Sequence, residues 1–211
     1  MPPKRNYQKE MEKVLKRIEG TRPKLLLHAC CAPCSSYVLS YLTQYFDIVL
    51  DFYNPNIAPQ SEYEYRRSEL LRLLDEMPHA GTIAVLESDY DERAFYDAVR
   101  GLEKEKEGGA RCTVCFRLRL EHAAREAARI GADFFTTTLT ISPHKDAALL
   151  NDLGQEIAAA HGLTYLCSDF KKRNGFKESI ALSEQYHLYR QDYCGCVYSR
   201  LEREEQKRTE S

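Results

Sequence analysis

Long apolar segments are absent from this sequence, whose apolar residues never approach the ~18 consecutive positions that a membrane-spanning helix requires. The first ten residues are mostly polar and lack the apolar core of a secretory signal peptide. Because neither feature is found, we expect a cytoplasmic protein with no membrane partner.

An excess of charge is also lacking, since 30 Lys and Arg against 32 Asp and Glu give a net charge of −2. The whole molecule therefore does not attract nucleic acid, and any RNA binding must use a local basic patch. Two clusters could supply such a patch: Lys171, Lys172, Arg173 and Lys177, and Arg111, Arg117 and Arg119. Surface side chains that contact only solvent are the alternative interpretation.

Cysteine is too sparse for a secreted disulfide scaffold, with eight residues among 211. Seven of the eight nevertheless fall into three tight groups, which are Cys30, Cys31 and Cys34, then Cys112 and Cys115, then Cys194 and Cys196. Grouped thiols in a reducing compartment indicate metal binding or redox chemistry. Cys167 stands alone in an apolar segment and is expected to be a core residue.

Five apolar segments with strand character alternate with helical patterns, at about 24–30, 48–53, 82–86, 134–139 and 163–167. Such alternation predicts an α/β fold in three layers, a parallel sheet of about five strands covered by helices on both faces. We expect a single domain over 1–211, with an N-terminal helical extension (1–22), a sheet core (24–170) and a small helical C-terminal part (171–211). A capping box at Ser61 and Glu64 predicts the start of one helix.

The carboxyl ends of parallel strands form the ligand-binding edge of such a sheet. Cys30 and Cys31 follow the first strand, and Cys112 and Cys115 open a helix on the same side. Four thiolates suit structural zinc or a [4Fe–4S] cluster. Because zinc-binding cysteines are usually separated by two to four residues, the adjacent pair slightly favours iron–sulfur.

The Cys194-Gly195-Cys196 segment suits a different role. A disulfide closed across one residue is strained and easily reduced, and Gly195 supplies the backbone freedom that it needs. Metal binding and inert thiols are the alternatives. Cys34 could bind a second metal, tune the site from the helix terminus, or only pack.

Polar residues near the expected strand ends are candidates for substrate binding, namely Asn54, Tyr63, Arg66, His144, Lys145, Lys171 and Lys172. His144 and Lys145 lie near a helix start, where they could meet a phosphate or donate a proton. His28, beside the first cysteines, is more typical of a hydrogen-bonded structural histidine.

Five motifs occur in order along the chain: His-Ala-Cys-Cys-Ala-Pro-Cys (28–34), Asn-Pro-Asn-Ile (54–57), Arg-Cys-Thr-Val-Cys-Phe-Arg-Leu (111–118), Thr-Leu-Thr-Ile-Ser-Pro-His-Lys (138–145) and Cys-Gly-Cys (194–196). Together they resemble the QueH-type epoxyqueuosine reductase family over nearly the whole chain. The resemblance implies a fold similar to the adenine nucleotide α-hydrolase (HUP) group. It also implies an oxidoreductase of tRNA processing that completes queuosine biosynthesis by removing the epoxide oxygen of epoxyqueuosine at the wobble position.

Carried onto this chain, the resemblance implies that a [4Fe–4S] cluster is bound by Cys30, Cys31, Cys112 and Cys115. Cys194 and Cys196 would form the redox-active pair. Some members have Asp where this chain has Cys34, and a second, mononuclear iron is associated with that region. We therefore group Cys34 with the catalytic residues, while its role stays open. The expected partners are tRNA carrying epoxyqueuosine and an unidentified electron donor.

Two other function classes fit parts of the sequence. An ATP-dependent tRNA-modifying thiolase or ligase needs a phosphate-binding loop after the first strand, and the turn 30–34 contains no glycine. A non-catalytic, zinc-stabilised RNA-binding module would be colourless, whereas an iron–sulfur protein is brown.

Overall fold

Residues 5–79 and 81–210 are described by a computed structural model, and they form a parallel β-sheet flanked by helices. The strands are β1 (Lys24–His28), β2 (Asp47–Asp51), β3 (Ile83–Leu86) and β4 (Phe134–Thr137). The helices are α1 (Tyr7–Arg17), α2 (Ala32–Leu42), α3 (Gln60–Glu76), α4 (Glu92–Ala98), α5 (Ala110–Arg129), α6 (Ala147–His161), α7 (Gly175–Gln185) and α8 (Val197–Glu210). The strand order is β3-β2-β1-β4 and all pairings are parallel, which confirms the α/β class.

The prediction of a fifth strand at 163–167 is wrong. In this segment the pairing with β4 is one isolated bridge, between Phe135 and Tyr165. The backbone N–H and C=O of Ser168 instead bond to the side-chain amide of Asn151, at 2.8 Å each. This amide satisfies the two backbone groups that a longer ladder would use. The similarity to the HUP group stays a prediction.

The predicted capping box at Ser61 and Glu64 is also wrong, because α3 begins at Gln60. Pro59 occupies the cap position, and its carbonyl accepts from the backbone N–H groups of Glu62 and Tyr63. A residue that precedes the predicted cap therefore starts the helix.

The hydrophobic core has two parts, one on each face of the sheet. Leu25 and Leu27 belong to one part and Leu26 to the other, because successive residues of a strand point to opposite faces. All three are fully buried, as expected for a sheet covered on both sides. Helix α1 packs on the first part through Met11 and Leu15. The division into extension, core and C-terminal part stays a prediction.

The chain topology explains why two cysteine groups share one edge of the sheet. Cys30 and Cys31 lie just beyond the carboxyl end of β1. Helix α5 leads into the amino end of β4, so the N-terminus of α5 lies at that same carboxyl edge. Within the described residues, no helix combines the length and apolar character needed to cross a membrane.

Candidate metal and redox site

The first cysteine group forms a compact triad at the turn between β1 and α2. Cys31 is the N-cap residue of α2 and has extended backbone angles, and Pro33 lies in the first turn. The sulfur atoms of Cys30, Cys31 and Cys34 all lie within 4.8 Å of one another, with 3.9 Å between those of Cys30 and Cys31. Sulfur ligands at ~2.3 Å from a tetrahedral metal are roughly 3.8 Å apart. The triad therefore has the spacing that one thiolate-bound metal ion requires.

The three thiols of the triad differ in their acidity. Hydrogen bonds from Cys30 and then Cys34 hold the pKa of Cys31 well below its usual range, although burial opposes this. The same hydrogen bonds raise the pKa of Cys34 and, through Cys31, that of Cys30. Cys31 is accordingly the first of the three to become a thiolate.

The second cysteine group lies in the first turns of α5. The sulfur of Cys112 accepts from the backbone N–H of Gly108 at 3.2 Å. Cys115 is buried and packs with Cys196 in a small apolar cluster that includes Phe95 and Val99. Burial raises the pKa of the Cys115 thiol to about 12. This group therefore contacts the third group without forming part of the compact triad.

The Cys194-Gly195-Cys196 segment is held by hydrogen bonds to its backbone. The Gly195 carbonyl accepts from the Ala58 N–H at 3.0 Å, and the Cys194 carbonyl accepts from Arg66 Nη1 at 3.2 Å. The sulfur of Cys196, just before α8, accepts from the Ser199 N–H at 3.4 Å. Cys194 and Cys196 are free thiols in this structure, and their disulfide stays a prediction.

Arg119 is the residue around which the three cysteine groups converge. It is 1% exposed, donates to Asn54 Oδ1 at 3.4 Å and to the Cys115 carbonyl at 3.3 Å. Burial lowers the pKa of Arg119, but the charge that nearby cysteines carry once they ionise to thiolates outweighs burial and leaves the pKa raised. These cysteines, in decreasing order of effect, are Cys115, Cys194, Cys30 and Cys112.

The interpretation of Arg111, Arg117 and Arg119 as a basic surface patch is wrong for two of its members. Arg111 and Arg119 are each 1% exposed, and only Arg117 reaches solvent, where it pairs with Glu156. Arg111 donates to the carbonyls of Glu103 and Glu105. Both arginines are buried because they bond to the protein itself, which leaves no patch for RNA there.

A cleft of about 760 Å³ opens in front of the cysteines. Its lining includes the triad, Cys194, Arg119 and three of the predicted substrate residues, Asn54, His144 and Lys145. Burial lowers the pKa of Lys145, but the thiols of Cys194, Cys30 and Cys34 outweigh it and raise the pKa. The cleft therefore offers a cation and sulfur groups to the same bound molecule.

The other predicted substrate residues lie outside the cleft lining. Tyr63 is buried and its hydroxyl donates to the Phe52 carbonyl, while Arg66 is buried against Glu62. Lys171 donates to the Thr140 carbonyl, and Lys172 is exposed. Their assignment to substrate binding stays a prediction.

His28 is a hydrogen-bonded structural residue, as expected. Its Nε2 lies 3.0 Å from the Tyr53 carbonyl and its Nδ1 lies 2.9 Å from Thr137 Oγ1. Because a carbonyl only accepts, Nε2 carries the proton. Burial lowers the pKa of His28 to about 3, so the ring is neutral.

Sequence reasoning missed the role of Arg119 and the aromatic part of the cleft, to which Phe176 and Tyr193 contribute. A signal for Arg119 was present, because it lies four residues after Cys115 and so on the same face of α5. Phe176 and Tyr193 carry no such signal, since they come from segments whose placement depends on tertiary packing.

Comparison with known proteins gives one consistent result. The family model described as "Epoxyqueuosine reductase QueH" matches residues 25–202. A protein of Streptococcus pyogenes serotype M1 with that name is 45% identical over 198 residues, which are 92% of this chain and 78% of the relative. Its namesake in Staphylococcus epidermidis is 42% identical, over 93% of this chain and 85% of the relative. The protein of that name in Thermotoga maritima is 36% identical, over 86% of this chain and 92% of the relative. The chain belongs to the epoxyqueuosine reductase QueH family.

Proposed function

We propose that this chain reduces epoxyqueuosine to queuosine at the wobble position of tRNA, the final step of queuosine biosynthesis. The observation that carries the proposal is the convergence of three cysteine groups around buried Arg119, beside a cleft that the triad and Cys194 line. Family membership supplies the substrate, because the relatives are named epoxyqueuosine reductases.

The reaction requires two electrons and two protons. Both C–O bonds of the epoxide break, a C=C bond forms, and the oxygen leaves as water. If Cys194 and Cys196 close a disulfide, the S–S bond forms as two S–H bonds break, which releases two electrons and two protons. The dithiol thus balances one turnover, and the external electron donor then reduces the disulfide again.

The residues present fit a thiolate-bound metal centre. The spacing of Cys30, Cys31 and Cys34 suits a single metal ion, and Arg119 Nη2 is buried without a hydrogen-bond partner among the described residues. The four-cysteine ligand set of a cluster is taken instead from the resemblance to the QueH family. In the proposal Cys30, Cys31, Cys112 and Cys115 hold a [4Fe–4S] cluster, and Cys34 is available to a second, mononuclear iron. When bound, this centre supplies one-electron transfer and a Lewis acid that weakens a C–O bond.

The other residues of the cleft have roles that follow from their positions. Lys145 lines the cleft close enough to Cys194 and Cys30 to respond to their charge, so its ammonium group can donate a hydrogen bond to the departing oxygen. Asn54 accepts a hydrogen bond from Arg119 and donates one to the Ala29 carbonyl, which positions the backbone next to the triad. His144 also lines the cleft and completes the proposed substrate contacts there. The proposed contacts of Tyr63, Arg66, Lys171 and Lys172, which lie outside the cleft lining, rest on their places near the expected strand ends. A cytoplasmic location belongs to the proposal.

An anaerobic assay tests the function directly. The protein is reconstituted with iron and sulfide and incubated with epoxyqueuosine-containing tRNA and a strong reductant, and the nucleosides are then identified by mass spectrometry. We expect queuosine from the wild type and none from Cys31→Ala. Cys167→Ala is the matched control, because Cys167 neither lines the cleft nor belongs to the cysteine triad, and it should retain turnover. Absence of queuosine with the reconstituted wild type, or full turnover by Cys31→Ala, would contradict the proposal.

A further inference from the structure

Arg119 is a buried cation without a carboxylate partner in the described part of the chain. The hydrogen bonds that Arg119 donates there go to neutral acceptors, the Asn54 amide oxygen and the Cys115 carbonyl. Its Nη2 is buried and donates to no described atom. A guanidinium in such a place is unfavourable unless negative charge lies nearby.

The groups that can supply this negative charge are the cysteines. Cys115 lies one helical turn before Arg119, and Cys30 and Cys194 line the same cleft as Arg119. These three residues come from three distant segments of the chain, and a thiol is negative only as a thiolate or as a metal ligand. The guanidinium therefore shares its cleft and its helix face with thiol groups that are neutral when protonated and anionic when they bind a metal.

We propose that Arg119 is a positioning residue for the proposed reaction, a fixed counter-charge that stabilises the anionic, metal-bound state of the cysteines. When three thiols bind a divalent ion, they lose three protons and the site changes from neutral to a charge of −1. A permanent cation in a buried, low-dielectric setting favours that change. This proposal concerns metal binding by the cysteines and can be tested without turnover. It rests on the proposed function only where it links that metal binding to the reduction of epoxyqueuosine.

Cobalt(II) binding to the metal-free, reduced protein tests this inference without any turnover. Thiolate-bound Co(II) has a charge-transfer absorbance that reports the dissociation constant in competition with a chelator. We expect Arg119→Gln to raise this constant by about tenfold or more, because the counter-charge is lost. Arg119→Lys keeps the charge and should stay within about threefold of the wild type.

Three further variants separate charge from structure. Arg117→Gln is the matched control on the same helix, because Arg117 is partly exposed and pairs with Glu156, and it should bind Co(II) as the wild type does. Asn54→Asp sets a carboxylate against Arg119 Nη1, so it should weaken Co(II) binding more than Asn54→Leu, which loses the same Nδ2 hydrogen bond to the Ala29 carbonyl without adding charge. The comparison of these two variants carries the test even if Arg119→Gln fails to fold.

The outcomes are distinct. The counter-charge proposal would be overturned if Arg119→Gln and Arg119→Lys weakened Co(II) binding equally, or if Asn54→Asp and Asn54→Leu bound Co(II) equally well. It would also be overturned if the wild type bound no Co(II) through thiolates. If the charge effect is found but the wild type never forms queuosine, the proposed function fails and this inference stands. If queuosine forms but the charge effect is absent, the proposed function stands and this inference fails.

Discussion

At the scale of single residues, Gly195 is the position where backbone geometry constrains the Cys194-Gly195-Cys196 segment most tightly. Its φ of +127° lies in a region that L-residues rarely adopt. A Cβ there would lie 3.0 Å from Ile57 Cγ1 and 3.1 Å from Arg66 Nη1. A larger residue would therefore be strained by its φ and would need Ile57 and Arg66 to shift by a few tenths of an ångström.

Gly195→Ala should destabilise the protein by about 1–3 kcal/mol and reduce turnover, because the new methyl group displaces the Cys194 and Cys196 backbone. Denaturant unfolding and the tRNA assay measure the two effects. Gly101→Ala is the control, since Gly101 also has positive φ (+85°) but would place its Cβ in open space. It should lose some stability and keep its turnover. Equal turnover by the two variants would contradict the role of Gly195.

A second residue-scale feature is the buried carboxyl of Asp51. Its Oδ1 accepts from Ser88 Oγ at 2.7 Å, and its Oδ2 lies 3.8 Å from His122 Nε2. Burial raises the pKa of Asp51 to about 6. The folded protein therefore keeps this proton between about pH 4 and pH 6, where the unfolded chain has already lost it.

Stability should fall as the pH rises from about 4 to about 6 and then level off, because the folded state binds more protons in that range. Asp51→Asn should remove this component, worth on the order of 1–3 kcal/mol, and so gain stability relative to the wild type at neutral pH. Ser88→Ala should move the transition to higher pH, because the Ser88 hydrogen bond lowers the pKa of Asp51. The free energy of unfolding, measured across this pH range, tests the prediction. Parallel curves for the wild type and Asp51→Asn would contradict a contribution of the Asp51 proton to stability.

At the scale of elements, Arg111 joins three parts of the chain that surround Cys112 and Cys196. From the first turn of α5 it donates to carbonyls of the loop before that helix and, at 2.8 Å, to Glu202 of α8. Its guanidinium also lies 4.8 Å from the centre of the Tyr198 ring. One buried arginine thus links the helix that carries Cys112 to the helix that follows Cys196.

Glu202→Ala should lower the local stability of α8 and of the loop before α5 by about 2 kcal/mol. The reason is that Arg111 loses its carboxylate partner while it stays buried. Hydrogen exchange measures this, with faster exchange expected in 101–109 and 197–210. Glu204→Ala is the control on the same helix, since Glu204 is exposed and pairs with the partly buried Arg200, at 3.9 Å, rather than with Arg111. Unchanged exchange in Glu202→Ala would show that the ion pair does not join these elements.

The sequence was sufficient to predict the elements whose signals are local. The Leu25–Leu27 run is a buried strand, and Cys31 and Pro33 begin a helix, because strand and cap preferences act over a few residues. The fifth strand failed because one distant side chain, Asn151, takes the backbone groups of Ser168. No local pattern reports such a competitor.

At the scale of the whole molecule, the shared edge of a parallel sheet explains why the first two cysteine groups could be placed together from sequence. The position of the third group could not be deduced, because it depends on Ala58 and Arg66 bonding to the Cys194 segment. Nor could composition show that two arginines of a basic cluster are buried. The sequence carries the topology, whereas the electrostatics of the site depend on packing between residues that are far apart in the chain.

The account depends on cysteines from distant segments binding one iron–sulfur centre. Iron and acid-labile sulfide, counted per chain after anaerobic reconstitution of the wild type, Cys112→Ala and Cys167→Ala, test this most directly. We expect at least four iron and four sulfide in the wild type and in Cys167→Ala, and loss of the cluster in Cys112→Ala. A full complement of iron and sulfide in Cys112→Ala, or zinc without sulfide in the wild type, would contradict it.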